Sequence, residues 1–299
     1  MSVIDVQGLT KHYGEVRAVD GLDLQVEAGE FFGVLGPNGA GKTTTLECIE
    51  GIRQPDSGTI SVFGESPWPR NTGLVRRIGV QHQATAFFEM LTAREQLEVF
   101  ADLYAAPRAR AGALLEEVGL GDFANHQTKK LSGGQQQRLS IAAALVHEPE
   151  MVFLDEPSAA LDPQARRNLW DLLKGVNGDG RTVVLTTHYM DEAEYLCDRV
   201  AIIDHGKILA VDTPANLVRG LDAPTRITLP DTAIGREDAE RLVGGEAVSV
   251  DNGSLTMTTR DPAPVLVALA ERDALTGLQV RGATLEDVFL NLTGRELRA

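Results

Sequence analysis

Short apolar runs alternate with stretches of helical periodicity over roughly the first 220 residues of the chain. Leu22, Leu24 and Val26 are apolar at every second position, which is the pattern of a strand with one buried face. Continuous apolar runs, typical of strands buried on both faces, occupy residues 31–35, 151–154, 182–185 and 201–203. Helical patterns occupy residues 92–104, 109–118, 133–147, 163–176 and 189–197. This alternation predicts an α/β fold with a mostly parallel sheet covered by helices.

The pattern changes beyond residue 220, where the linker-like residues 221–224 are followed by a segment without lysine. Asn252 and Gly253 separate two strand-like runs and are a strong hairpin signal. The expected elements are strands over 247–251, 254–259 and 278–280 and helices over 262–270 and 284–292. Thr284 with Asp287 resembles a capping box at the start of the last helix. We therefore expect one domain over 3–220 and a small C-terminal α+β accessory domain over 221–299, for which regulation, dimer support and partner contact are all open roles.

Composition and charge narrow the range of functions. The 299 residues carry a formal net charge of −15, and an acidic surface repels nucleic-acid phosphates, so no nucleic-acid partner is expected. No run approaches the ~18 apolar residues that span a membrane, and the first residues do not form a secretory signal. A membrane role would therefore require a partner. Cys48 and Cys197 lack metal-ligand spacing, lie in runs with a helical pattern, and are expected to be reduced thiols of a cytosolic protein.

A phosphate-binding loop lies between the apolar run 31–35 and a helical stretch. Its residues match the pattern G-x-x-x-x-G-K-[ST] and are Gly36, Pro37, Asn38, Gly39, Ala40, Gly41, Lys42 and Thr43, followed by Thr44. Glycines allow backbone N–H groups to converge on one phosphate, and the N-terminus of the following helix adds a partial positive charge. Lys42 is then a point charge for the β- and γ-phosphates, and the Thr43 hydroxyl is a ligand for Mg²⁺. The motif therefore predicts binding of Mg²⁺ and a nucleoside triphosphate.

Two adjacent acids, Asp155 and Glu156, follow the apolar run 151–154. Because adjacent strand residues point to opposite faces, the two carboxylates are expected to have different roles. Asp155 suits a contact with Mg²⁺ through water, and Glu156 suits a base that orients or deprotonates the attacking water. Alone, the pair would equally suit a solvated acidic turn. Beside a phosphate-binding loop, we interpret it as part of an active site.

A further motif distinguishes among the families with such loops. Residues 131–135 read Leu-Ser-Gly-Gly-Gln, and with this segment the chain resembles the ATP-binding cassette (ABC) family. The resemblance covers about residues 3–220 and comprises six motifs in the expected order. It implies the fold of an ABC cassette, with a helical subdomain at about 84–150, and it implies that the chain binds and hydrolyses ATP.

The resemblance also implies roles for single residues. Tyr13 is expected to stack on adenine, Gln83 to help position Mg²⁺, and His188 to contact the γ-phosphate. Gln81 is a rival of Gln83, although the spacing from Gly79 favours Gln83. The implied catalytic residues are Glu156, His188 and Gln83, and the implied metal-positioning residues are Thr43, Gln83 and Asp155. Residues 158–162 resemble the D-loop of the family, which places Asp162 at the nucleotide and leaves Ala160 where glycine is usual.

The segment 131–135 can itself be understood as a second anion site. Ser132 is a good N-cap, Gly133 and Gly134 allow a phosphate to approach the backbone at a helix start, and Gln135 follows them. The resemblance implies that this site binds the γ-phosphate held by the phosphate-binding loop of another copy. Two chains, head to tail, are then expected to enclose two ATP molecules with two-fold symmetry. Both an identical and a different second cassette remain open.

Residues 283–294 resemble the ending of bacterial ABC export ATPases, among them those for daunorubicin-type drug resistance. The expected function is ATP hydrolysis that energises efflux of a small molecule or lipid through a separate membrane permease, at the cytoplasmic face of the membrane. Family members couple to the permease after Gln83, so residues 84–90 are a candidate docking surface. Core packing of Phe87 and Phe88 is the alternative for this segment.

Two other functions compete with this interpretation. Soluble ABC ATPases that act on ribosomes or DNA commonly carry two cassettes or a long inserted coiled coil, and this chain has neither pattern. A P-loop kinase would leave residues 131–135 and His188 without a role.

Overall fold

The computed structural model describes residues 1–83, 86–159, 161–244, 247–251 and 253–294. The strands, in chain order, are β1 (Ser2–Tyr13), β2 (Val16–Glu27), β3 (Phe31–Leu35), β4 (Ser57–Val62), β5 (Ile78–Gln81), β6 (Met151–Asp155), β7 (Thr182–Thr187), β8 (Arg199–Asp204), β9 (Lys207–Asp212), β10 (Thr225–Pro230), β11 (Val248–Asp251), β12 (Ser254–Thr259) and β13 (Gln279–Arg281). The α-helices are α1 (Lys42–Ile49), α2 (Thr72–Val75), α3 (Ala93–Tyr104), α4 (Ala109–Glu117), α5 (Gly133–Leu145), α6 (Pro163–Gly178), α7 (Met190–Leu196), α8 (Pro214–Gly220), α9 (Arg236–Leu242), α10 (Pro262–Glu271) and α11 (Leu285–Thr293). The chain divides into a first compact unit, Met1–Pro214, and a second that begins at Ala215.

The centre of the first unit is a six-stranded sheet in the order β5-β6-β7-β3-β8-β9. All neighbours are parallel except β9, which pairs with β8 in antiparallel fashion. Every residue of β3, β6 and β7 is buried, which explains their continuous apolar runs. The predicted, mostly parallel sheet is confirmed. Because parallel strands end at the same edge, the residues after β3, β5, β6 and β7 are brought together there.

A second sheet, in the order β2-β1-β4 and wholly antiparallel, covers one face of the first unit. The sequence pattern predicted part of β2 but neither β1 nor β4. Register shifts interrupt the β1–β2 pairing, so the apolar alternation of β1 is broken. The sheet packs its apolar face on α1, which also contacts β6. Helix α1 is thus held between the two sheets.

Helices α3, α4 and α5 contact one another, and α5 also packs against β5 and β6. The predicted positions of these three helices are confirmed to within a few residues. Thr92 and Ser132 are the N-caps of α3 and α5, each with a capping box, and fix where these two helices begin. Among the described residues, no helix has the length and apolar character needed to cross a membrane.

The two cysteines are buried and reduced. Cys48 lies in α1 as predicted, whereas Cys197 follows the last residue of α7 and is not helical. The observed helix therefore ends one residue before the predicted end. The Cys197 thiol lies against Gly33 of β3. Burial raises the pKa of the Cys48 thiol to about 11 and raises that of Cys197 as well, so both thiols are protonated and unreactive.

The second unit contains an antiparallel sheet in the order β11-β12-β10-β13. The predicted hairpin is confirmed by the pairing of β11 with β12, although Asn252 lies outside the described residues. Strand β13 begins one residue later than predicted. The capping box of α11 is confirmed, since Thr284 N–H donates to Asp287 Oδ2 at 2.8 Å. Apolar residues of β10, β12 and α10 form a core within this unit.

Glu50, directly after α1, is a buried acid that the sequence pattern does not reveal. It is 6% exposed, and its Oε2 has no hydrogen-bond partner among the described residues. Burial, with a smaller contribution from the charge of Asp155, raises the pKa of Glu50 to about 8. Between its ordinary value of 4.5 and about 8, the folded chain keeps a proton that the unfolded chain has released. The free energy of unfolding therefore decreases as the pH rises through this window.

Replacing Glu50 with glutamine should remove this pH dependence, because the amide is neutral at every pH. We expect Glu50→Gln to match the wild type near pH 5 and to exceed its unfolding free energy at pH 8.5 by on the order of a few kcal/mol. Urea unfolding of the full chain at both pH values measures this difference. Glu240→Gln, which alters an exposed ion pair with Arg236, is the matched control. An equal difference at both pH values would show that Glu50 does not titrate in this range.

Candidate active site

The phosphate-binding loop connects the end of β3 to the start of α1 and is tightly enclosed. A β-carbon on Gly36 would lie 2.3 Å from the Ile203 carbonyl oxygen, and one on Gly41 would lie 2.2 Å from the Ala18 carbonyl oxygen. Gly41 also has a φ of 104°, in the left-handed region that favours glycine. The glycines of the motif therefore let the loop lie directly against the backbones of β8 and β2.

Lys42, the first residue of α1, is 4% exposed. Its ammonium group donates to the carbonyl oxygens of Gly36, at 2.8 Å, and Pro37, at 3.2 Å. It also forms an ion pair with Glu156, with 3.0 Å between Nζ and Oε1. A buried cation requires such partners, and removal of one partner from a buried pair typically costs about 3–5 kcal/mol. The structure thus brings together the lysine and the acid that the sequence assigned to phosphate and water.

Asp155, at the end of β6, faces the next residue of α1. The Thr43 hydroxyl donates to its Oδ2 at 3.0 Å and lies 3.2 Å from its Oδ1. The Thr186 hydroxyl of β7 also donates to Oδ1, and it accepts the N–H of Glu156 at 3.0 Å. Thr186 therefore orients both acids, a role that sequence reasoning missed. The available signal was a polar residue at the end of a buried strand, next to the strand with the acids.

Glu156 lies beyond the end of β6, in a left-handed backbone conformation with φ of 48°. The two carboxylates have different partners, although Glu156 follows β6 and is not itself part of the strand on which the prediction was based. Glu156 Oε2 accepts a hydrogen bond from Gln83 Nε2 at 3.3 Å. His188 Nδ1 lies 3.3 Å from the same oxygen, without the alignment of a hydrogen bond. Lys42, Gln83 and His188 thus surround one carboxylate.

The two glutamines after β5 differ in their surroundings. Gln81 is 2% exposed, and its Nε2 donates to the His82 carbonyl oxygen at 2.5 Å. Gln83 is exposed and contacts Glu156. These placements favour Gln83 as the residue at the reaction centre, in agreement with the spacing argument.

A cavity of about 950 Å³ opens in front of the phosphate-binding loop. Its described wall includes Tyr13, the loop residues Pro37 to Thr44, Gln83 and Glu156, and it also includes Glu15, Val16, Arg17, Ala18, Asp20, His205 and Lys207. The second set comes from β2 and the turn before it, and from the turn between β8 and β9 with the first residue of β9; the sequence motifs did not predict this set. Asp20 pairs with Lys207 at 3.2 Å, and this contact lowers the pKa of Asp20.

Tyr13 ends β1 at one side of this cavity and is 42% exposed. The Arg53 guanidinium lies 5.3 Å from the centre of its ring, and Lys11 Nζ lies 5.8 Å from it. An exposed aromatic face at the wall of a cavity is suited to stacking on a planar base.

The segment with Ser132 lies elsewhere in the first unit. Ser132 N–H donates to Gln135 Oε1 at 2.9 Å, and the Ser132 hydroxyl accepts the Gln135 N–H at 3.3 Å. Ser132 and Gly133 are exposed, and Gly134 faces Leu161 and Ala165. Within the described part of the chain, none of these residues lines the cavity at Lys42. Within one chain, the exposed start of α5 is therefore separate from the cavity at Lys42.

Asp162 also lies outside the wall of the cavity as far as the structure describes it. It is the N-cap of α6, and its Oδ1 accepts the N–H groups of Gln164, at 3.0 Å, and Ala165, at 2.9 Å. Ala160, the departure from the family pattern, lies outside the described residues.

Thr43 is in direct contact with Asp155, and Thr43 and Gln83 line the same cavity. The Thr43 hydroxyl, the Asp155 carboxylate and the Gln83 amide are donors that suit Mg²⁺, which commonly uses few protein ligands together with phosphates and water. No cluster of three His, Cys, Asp or Glu side chains that would hold a metal alone occurs among the described residues. The residues thus fit a metal that arrives with a nucleotide.

Comparisons with known proteins agree with this geometry. The family model described as ABC transporter matches residues 19–159. The chain is 42% identical to the daunorubicin/doxorubicin resistance ATP-binding protein DrrA of Streptomyces peucetius, over 97% of this chain and 92% of that protein. It is 43% identical to the Nod factor export ATP-binding protein I of Burkholderia thailandensis, over 99% and 98% of the two chains. A dimeric ATP-binding cassette in a post-hydrolysis state, bound to ADP and Pi, superposes with a TM-score of 0.64 at 31% identity, over 70% of this chain and 98% of that one.

The contacts of Glu156 generate a prediction about Glu156→Gln. Loss of the carboxylate should lower the rate of ATP hydrolysis by about 100-fold or more, because the amide is not a base. ATP affinity should stay equal or increase, because Lys42 no longer has a competing anion. Steady-state turnover and a nucleotide titration measure the two effects. Glu237→Gln, at a fully exposed acid of the second unit, should change neither. Wild-type turnover by Glu156→Gln would remove Glu156 from the reaction.

Proposed function

Because the chain belongs to the ABC transporter family of ATP-binding proteins, we propose that it hydrolyses MgATP to energise export through a separate membrane permease. The observation that carries this proposal is the convergence of Lys42, Gln83 and His188 on the Glu156 carboxylate, at the edge of the sheet where the phosphate-binding loop begins. ATP hydrolysis is the activity of this family, and the further roles below are proposals for this chain.

The phosphates of ATP lie along residues Gly36 to Thr44, and adenine stacks on Tyr13. When ATP binds, Lys42 exchanges its contact with Glu156 for contacts with the β- and γ-phosphates, because these phosphates carry more negative charge than one carboxylate. Released from Lys42, Glu156 orients the attacking water and accepts its proton. His188 steadies the γ-phosphate, and Thr186 holds the backbone N–H that fixes the position of Glu156. Catalysis is then positioning combined with stabilisation of negative charge.

Mg²⁺ bound with the nucleotide would supply positive charge to the phosphate oxygens. Thr43 and Gln83 are the residues that would hold it directly, and Asp155 would hold it through water. The hydrogen bond between Thr43 and Asp155 supports this assignment, because it places the two oxygen donors in direct contact.

A second copy of the chain completes each nucleotide site. The exposed start of α5, with Ser132, Gly133, Gly134 and Gln135, would meet the γ-phosphate held on Lys42 of that copy, and Asp162 would lie at the same interface. A dimeric relative at 31% identity supports this arrangement. The two sites of one chain are separate, so head-to-tail pairing lets each copy complete the other.

Export is the proposed direction of transport, and a small molecule or lipid is the proposed class of cargo. The relatives over nearly the full chain are named for daunorubicin/doxorubicin resistance and for Nod factor export. The permease would keep the chain at the cytoplasmic face of the membrane.

The surface after Gln83 is the proposed contact with the permease. Phe88 is 64% exposed and Met90 is 66% exposed, which argues against core packing of Phe88. The backbone of Phe88 is nevertheless fixed, because its N–H donates to Gln96 Oε1 at 3.0 Å and its carbonyl oxygen accepts the Thr128 hydroxyl at 3.0 Å. Both anchoring side chains are buried. Exposed apolar groups on a fixed backbone are typical of a binding surface.

Co-purification tests the transporter function. The tagged Glu156→Gln chain is expressed in its native cell, membranes are solubilised with detergent, and co-purifying proteins are identified in MgATP. A stoichiometric polytopic membrane protein is the expected partner. Recovery of ribosomes or nucleic acid, or of the chain alone in several mild detergents, would reject the export function and favour a soluble ABC ATPase.

Replacing Phe88 with aspartate should uncouple transport from hydrolysis, because a charge at this surface opposes apolar contact with the permease. We expect Phe88→Asp to lower transport by about tenfold or more while basal ATPase activity is unchanged, since loss of an interface anchor typically costs over 1 kcal/mol. Leu209→Asp, at a residue of β9 that is 40% exposed, is the matched control and should transport normally. Normal transport by Phe88→Asp would place the docking surface elsewhere.

A further inference from the structure

A series of ring contacts leads from the catalytic residues to helix α6. His188 Nδ1 lies 3.3 Å from Glu156 Oε2, and the His188 ring lies against the ring of Tyr189, with 4.1 Å between the ring centres and 38° between the planes. The guanidinium of Arg166, in α6, lies over the Tyr189 ring, 3.9 Å from its centre. The contacts are thus continuous from the Glu156 carboxylate to a cation that the proposed mechanism does not use.

The orientation of the His188 ring is not fixed by a hydrogen bond at Nδ1. This atom is buried, and within the described part of the chain it has no hydrogen-bond partner. The backbone of Tyr189 is better fixed, because its N–H donates to Thr187 Oγ1 at 2.9 Å. The position of the His188 ring therefore depends on its packing against Tyr189.

The Arg166 guanidinium has few other partners. Its side chain is 18% exposed, and its Nε is buried without a hydrogen-bond acceptor among the described residues. Its Nη1 lies 3.9 Å from Asp191 Oδ2, which is beyond hydrogen-bond distance. A largely buried cation is costly without compensation, and the negative face of an aromatic ring attracts it. Arg166 and Tyr189 therefore restrict each other's position.

We propose that Arg166 and Tyr189 are positioning residues for ATP hydrolysis, which together hold the His188 ring where it contacts the γ-phosphate. This inference rests on the proposed function. Neither Arg166 nor Tyr189 lines the cavity at Lys42, as far as the structure describes its wall, so both act through His188.

A purely structural role of Arg166 would be to join α6 to α7 through Asp191. The Asp191 side chain is 64% exposed, and an exposed ion pair at 3.9 Å contributes little to stability. The contact between Arg166 and the half-buried Tyr189 ring is better shielded from water. The two roles can be separated, because Asp191 and Tyr189 can be replaced independently.

Replacements in the purified full chain test the ring contacts. Arg166→Met removes the cation and keeps a long side chain, and Tyr189→Leu removes the ring. We expect each to lower kcat by about tenfold with the KM for ATP changed by less than about threefold, because the phosphate-binding loop is intact and only a group at the γ-phosphate is displaced. Tyr189→Phe keeps the ring and should remain within about threefold of the wild type in both constants.

Two control variants separate this role from helix packing. Arg167→Met makes the same change at the next, exposed residue of α6 and should leave kcat unchanged. Asp191→Asn removes the ion pair, leaves the ring contact in place, and should also leave kcat unchanged. A loss of kcat in Asp191→Asn as large as that in Arg166→Met would overturn the proposal, because it would assign the effect to the ion pair.

The double variant with Arg166→Met and Tyr189→Leu tests whether the two residues act in series. Its kcat should equal that of Tyr189→Leu alone, because Arg166 acts only through the ring. Multiplicative losses, or equal losses in Tyr189→Phe and Tyr189→Leu, would contradict the proposal. Absence of hydrolysis in the wild type would instead contradict the proposed function.

NMR of the histidine rings supplies a readout that does not depend on turnover or on the folding of Tyr189→Leu. The chain has six histidines, and the His188 signal is the one that disappears in His188→Ala. Arg166→Met should shift this signal, because a displaced Tyr189 ring changes the local magnetic field at His188, whereas Arg167→Met should not. An unshifted His188 signal in Arg166→Met would show that Arg166 does not position this ring.

Discussion

The buried charge of Lys42 is the constraint on which the site depends. At 4% exposure, the ammonium group needs anionic or carbonyl partners within reach, and it obtains them from the loop itself and from Glu156. These partners are available because β3 and β6 belong to the same parallel part of the sheet and end at the same edge. The α1 helix that carries Lys42 is fixed between two sheets, so the charge has little freedom to move away. In the proposed mechanism, an arriving phosphate replaces Glu156 as the anionic partner of Lys42.

The helix start at Ser132, the proposed second phosphate site, has a different physical basis. At Ser132, the helix start is exposed and its side chains satisfy the backbone of their own helix. Ser132 and Gly133 are exposed, so this helix start is in contact with water. This difference between a buried cation at Lys42 and an exposed helix start at Ser132 supports the proposal that ATP joins two copies of the chain.

The sequence predicted the parallel sheet, the helices and the residues around Lys42 because each depends on local patterns. Residues 36–43 and 131–135 carry their chemistry in a few consecutive positions, and the ends of buried strands converge by geometry. The sheet of β1 and β4 was missed because register shifts break its alternation. Thr186 was missed because its role requires knowledge of the neighbouring strand. Glu50 and Glu192 have the sequence appearance of solvated acids on helices, and only the tertiary packing reveals their burial.

The proposed dimer requires Ser132 of one copy to contact the phosphate that is held on Lys42 of the other copy. Sedimentation of the Glu156→Gln chain, with and without MgATP and with or without Ser132→Arg, tests it most directly. We expect monomers without nucleotide, dimers with MgATP, and monomers that still bind ATP when Ser132→Arg is added. Dimers that persist with Ser132→Arg, or ATP-saturated Glu156→Gln that stays monomeric, would contradict it.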